Sequence, residues 1–138
     1  MIPEEQPLVE GTPVSEDQVN MLNQLKNLIH SDMQAMGWHD DGMSDLEFAK
    51  TTTANIHGEV SEFWEAWRRN NQWLPCDKAS KMEELGLPVL NCVEEELADV
   101  IIRVLDTAGR YGINIGRAVA VKEAVNMTRG YRYGNKTA

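Results

Sequence analysis

The stretches "ANIHGEVSEFWEAWRR" (residues 54–69) and "EEELADVIIRVLDTAGR" (94–110) carry two acidic pairs with the same spacing, Glu59 with Glu62 and Glu96 with Asp99. Apolar residues recur around both pairs every three to four positions, which is the period of a helix and not of a strand. Advance ~100° per residue and take Val60 as the reference. Ile56, Val60, Phe63, Trp64 and Trp67 then share one apolar face. Glu59 falls about 100° to one side of it and Glu62 about 160° to that side. With Leu97 as the reference, Val93, Val100, Ile101, Val104 and Ala108 define the expected core face. Glu96 and Asp99 take the same two offsets in the same rotational sense.

Equal offsets have a geometric consequence. If the two helices pack side by side and antiparallel, a two-fold axis relates them and the four carboxylates emerge on one side. Bundle neighbours commonly pair this way. Four carboxylates on one patch would repel and raise one another's pKa. A divalent cation removes the conflict, and an all-oxygen donor set suits hard ions such as Mg²⁺ or Mn²⁺. The plain alternative is that both pairs are solvated flanks of core helices. Neighbouring Glu94 and Glu95 read that way, as complements to the helix N-terminus.

Outward from these stretches the rest of the chain also reads as helix. Ser15 with Gln18 and Ser44 with Glu47 are capping boxes. The first opens a helix carrying Val19, Leu22, Leu25, Leu28 and Ile29 and stopped by Gly37, the second a long helix from about Leu46 to Asn70. Residues 70–90 form a long connection punctuated by Pro75, Gly86 and Pro88, with a short helical turn near Lys78–Leu85. Asn91 and Glu94 cap a third long helix, and Asn114 starts a fourth that ends before Gly130. The expected architecture is all-α. Residues 1–14, rich in proline and acid, read as a loose arm ahead of a single domain over 15–138.

At 138 residues and a formal net charge of −9, the chain suits one globular domain and disfavours a broad surface for duplex nucleic acid. Cys76 and Cys92 have no CxxC spacing and read as reduced thiols. The first residues lack a basic and apolar leader, and no run approaches a bilayer span. No membrane association is expected, and the expected compartment is the cytoplasm.

The order of these motifs, with "VKEAVNMTRGYRYGNK" closing the chain, resembles the MazG-like all-α nucleoside triphosphate pyrophosphohydrolases over residues 15–136. The matching positions are Glu59, Glu62, Glu96 and Asp99, then Lys122 and Asn126 with Arg129 after them. The resemblance implies a four-helix bundle-like fold assembled as a dimer or tetramer, with Mg²⁺ (or Mn²⁺) held by the four acids. It implies cleavage of a nucleoside triphosphate between the α- and β-phosphates to a monophosphate and pyrophosphate, in nucleotide-pool control. Glu59 or Glu62 would then be the general base. Lys122, Asn126 and Arg129, at i, i+4 and i+7, would grip phosphate oxygens from one face of the last helix. Two departures are the long 70–90 connection and Tyr133, which stands where a histidine is common in that family.

Other residues read more plainly. Trp64 and Trp67 are assigned to the core. Trp38 and Trp73 sit at helix–loop junctions, where an aromatic ring could stack on a base or pack at a subunit interface. Arg103 shares the acidic stripe and reads as an ion-pair partner. The competing functional class is a non-catalytic helical oligomer or adaptor with solvated acidic faces.

Overall fold

A computed structural model describes Pro7, Leu8 and residues 10–132. Part of the expected N-terminal arm (1–6 and 9) and most of the basic-aromatic tail, including Tyr133, lie outside the described residues. Among the described residues the order is α1 (Glu16–Ala35), α2 (Asp45–Arg68), α3 (Ala79–Glu84), α4 (Cys92–Tyr111) and α5 (Ile115–Met127). The chain is all-α, and the nearest approach to a sheet is an isolated antiparallel bridge between Pro75 and Asn91. No described helix is long and apolar enough to cross a membrane.

Local chemistry sets the helix boundaries. Ser15 and Ser44 each accept a hydrogen bond from the backbone N–H three residues on, and Gln18 and Glu47 reciprocate. Asn91 and Glu94 make the same exchange, at 2.9 and 3.0 Å, ahead of α4. These bonds satisfy N–H groups that a bare helix start leaves open. Gly37 and Gly112 follow α1 and α4 at φ of +86° and +66°, which a side chain would oppose. The short turn expected in the connection is α3.

The chain forms two compact units. One holds α1 and the chain from Leu105 through α5, and the other runs from Gly37 to Val104. In the first unit α1 packs on α5. Val19, Leu105, Ala108 and Ala120 are buried there, and Ala120 is fully enclosed. Gly116 lets the two helices approach closely, because a Cβ on it would sit 2.3 Å from the Val19 carbonyl oxygen. Asn23 ties the start of α5 down: its amide donates to Asn114 Oδ1 at 2.6 Å, and its oxygen accepts from the Gly116 N–H at 3.0 Å.

The second unit is built differently. Its buried residues are Phe48, Ala66, Cys76 and Val93 together with two carboxylates, Glu59 and Glu95. Val93 is buried as expected, but the middle of the expected core stripe faces outward. Val60, Trp64, Trp67, Leu97 and Ile101 are all 41–61% exposed. Assigning Trp64 and Trp67 to the core of the protomer is therefore incorrect. α2 is turned so that Glu59, Phe63 and Ala66 lie inward, and of its exposed apolar residues Trp67 meets Trp73 edge-to-face.

Candidate metal centre

α2 and α4 bring three of the four expected acids together in the second unit. Glu59, Glu96 and Asp99 each place a carboxylate oxygen within 4.8 Å of the others. Glu96 and Asp99 are three residues apart and stand on one stripe of α4, and Glu59 faces them from α2. Glu62 is exposed and outside that trio, but its carboxyl lies against Glu96.

The electrostatics are those of crowded anions. Burial, followed by the adjoining Glu62, Glu95 and Glu59, pushes the Glu96 carboxyl up to about 8. Burial also raises Asp99, with Glu59 and Glu95 adding to the effect and Lys78 and Arg103 opposing it. Oε2 of Glu96 is buried and no donor reaches it. Its neighbours are carboxylates, which can offer a hydrogen bond only where one of the pair holds a proton. A buried acceptor left this way is costly, and a cation would satisfy it. The donor set is all oxygen, so the residues fit a hard divalent ion.

Two cations border the cluster. Arg103, one turn beyond Asp99 on the same stripe, donates from Nε to Glu59 Oε1 at 2.7 Å. Lys78, from the connection ahead of α3, pairs with Glu95. The hydrogen bond to Glu95 holds the Lys78 ammonium above its ordinary pKa. Glu95 is only 7% exposed, so reading it as part of a solvated face is incorrect. Its partner lies 17 residues earlier in a loop, where no helical period points to it. Glu94 does complement the helix start, through its bond to the Asn91 N–H.

The remaining candidates are placed as follows. Trp38 and Trp73 belong to the second unit and are about two-thirds exposed. Trp73 makes an edge-to-face contact with Trp67, with ring centres 5.5 Å apart. Lys122 and Asn126 lie on α5 in the first unit, at i and i+4. Arg129 falls beyond that helix, which ends at Met127 with Thr128 as its C-cap. The single helical face expected for all three therefore holds only Lys122 and Asn126.

Comparison with known proteins adds nothing to this geometry: no family model, no curated protein and no solved structure matches the chain.

Proposed function

We propose that this protein is a Mg²⁺-dependent nucleotide pyrophosphohydrolase of MazG-like type, cleaving nucleoside triphosphates between the α- and β-phosphates. The observation that carries the reading is the convergence of Glu59, Glu96 and Asp99 within 4.8 Å around a buried carboxylate oxygen that has no donor. Glu59, Glu62, Glu96 and Asp99 would hold the cation. When bound, Mg²⁺ (or Mn²⁺) would offset phosphate charge and orient the polyphosphate.

The chain's own residues supply the rest. Glu62 suits the general base better than Glu59, because it is exposed while Glu59 is engaged by Arg103. It takes the proton of a water that attacks the α-phosphorus, and the bond from that phosphorus to the bridging oxygen breaks. Pyrophosphate leaves on that bridging oxygen, and the resemblance assigns phosphate contacts to Lys122, Asn126 and Arg129. Trp38 or Trp73 offers an exposed ring for the base.

Self-association is part of the same reading. Together Trp64 and Trp67 expose about as much surface as one whole aromatic side chain, on the order of 200 Å². Covering that area contributes about 5 kcal/mol per protomer before the cost of association. Val60, Leu97 and Ile101 extend the stripe. A second copy meeting the same stripe, as in a dimer or a tetramer, would cover both at once.

The deciding experiment incubates the protein with Mg²⁺ and a panel of ribo- and deoxynucleoside triphosphates, then identifies the products. Monophosphate and pyrophosphate are expected. Glu62→Gln and Asp99→Asn are expected to lower turnover at least about a hundredfold while circular dichroism keeps its helical signature. No hydrolysis across the panel would leave the adaptor as the better reading.

A further inference from the structure

We infer that Arg103 is a latch on the carboxylate cluster, occupying Glu59 in the metal-free protein and competing with the divalent cation for that carboxylate. The inference rests on the reading of Glu59, Glu96 and Asp99 as cation ligands. It concerns a residue that reading leaves without a role.

The geometry is specific. Glu59 is 9% exposed and is the only member of the trio carried by α2. A carboxylate this deep needs a counter-charge, and Arg103 supplies it through Nε at 2.7 Å. Arg103 stands at i+4 from Asp99 and i+7 from Glu96, so its stem rises from the stripe that carries the other two ligands. Its side chain is 39% exposed, which leaves it a route to swing toward solvent.

A cation drawing on all three acids would sit about 2.1 Å from a Glu59 oxygen. With Arg103 in its present position, the guanidinium would then lie within about 5 Å of the ion. Charges of +1 and +2 at that separation repel enough, even at the dielectric of water, to lower cation affinity on the order of tenfold. Lys78 opposes entry less, because Glu95, a buried group outside the trio, already neutralises it. Arg103 therefore keeps the cluster from binding a bare cation tightly. A cation that arrives with a polyphosphate brings new anionic partners for the displaced guanidinium.

A residue that only positions Glu59 gives the opposite result, since its removal would loosen a ligand and weaken cation binding. The sign of one measurement separates the two. Mn²⁺ serves as the probe, titrated into metal-free protein and followed by the electron paramagnetic resonance of the free ion. Arg103→Gln is expected to bind Mn²⁺ about tenfold more tightly than the wild type, and Arg103→Lys within about twofold of it. Equal or weaker binding by Arg103→Gln overturns the latch while leaving the cation site in place. Absence of Mn²⁺ binding by both the wild type and Arg103→Gln overturns the latch and the cation site together.

The wild type carries a second readout that needs no variant. The Arg103 Nε–H proton, hydrogen-bonded to a carboxylate, should resonate downfield in metal-free protein and lose that shift on saturation with Mg²⁺. A resonance unchanged by Mg²⁺ overturns the latch even if the neutral variant fails to fold.

Discussion

The two units close around opposite materials. Where α1 meets α5, the chain removes side chains: Gly116 and Ala120 bring backbones together, and no charged side chain is among the described buried residues there. In Gly37–Val104 the chain buries Glu59 and Glu95 and leaves Trp64 exposed. Charge follows the same division. Fourteen carboxylates against six Lys and Arg leave this segment at −8, out of −9 for the whole chain. A protein selected for stability alone has no reason to enclose acids while exposing tryptophans. The first unit has the construction of a scaffold, and the second gathers acids that could hold a cation.

The largest expected effect comes from breaking the scaffold. Each unit has a glycine inside a helix, and the two should respond with opposite signs. Gly116→Ala forces a methyl group into the Val19 backbone, which cannot rotate away. A loss of about 3 kcal/mol is expected, read as a fall in the thermal unfolding midpoint. At Gly58, on α2 beside Glu59, an added Cβ meets nothing within 4 Å. Gly58→Ala should therefore gain about 0.5–1 kcal/mol from helix propensity. A loss at Gly58 would show that something closes on that side of the second unit.

What was legible in the sequence divides along the same line. The caps were readable because Ser15, Ser44 and Asn91 bond to backbone three residues away, a relation the chain order contains. The pairing of Glu59 with Glu96 and Asp99 was readable because equal angular offsets on two helices limit where the acids can emerge. The direction those helices face was not readable. Periodicity gives angles around an axis, but burial depends on what lies opposite, so the pattern points Val60, Trp64 and Leu97 inward while the fold exposes them. The Lys78–Glu95 pair was invisible for a related reason: it joins a loop to a helix with no repeat between them. Arg129 leaves the expected face because α5 ends two residues earlier than its sequence signals, at Met127.

The next effect belongs to the acids. Glu96 titrates at about 8 in the folded protein, well above an ordinary glutamate. Between its unfolded and folded pKa values, the folded state holds more protons than the unfolded one. Stability of the metal-free protein should therefore be highest below about pH 4.5, as far as this group decides it, and fall as pH rises through 8. Glu96→Gln removes the charge and should flatten that decline. At pH 8 it should stabilise the metal-free protein by about 1 kcal/mol, less than a sealed interior would give because solvent reaches the cluster. Denaturant unfolding at several pH values in a chelating buffer provides the measurement. A variant with the same pH dependence as the wild type would mean that Glu96 is not the group under strain.

The smallest effect on the protomer is expected at Trp64, and it tests whether the exposed stripe is a covering surface. Trp64 is 61% exposed, so Trp64→Ser removes little packing within the second unit. Protomer stability should change by no more than about 0.5 kcal/mol, the range of ordinary surface substitutions. Association should respond far more, since an aromatic ring at the centre of an apolar patch is the kind of residue on which interface energy concentrates. Sedimentation over a concentration series is expected to shift from an associated wild type to a lighter variant, with the two chains equally stable when dilute. If the variant is instead destabilised at every concentration, Trp64 is packed within its own chain and the stripe is not the subunit contact. If both chains sediment as monomers, the tryptophans face something other than a second copy, and the contrast between the units would have to be explained by the cation site alone.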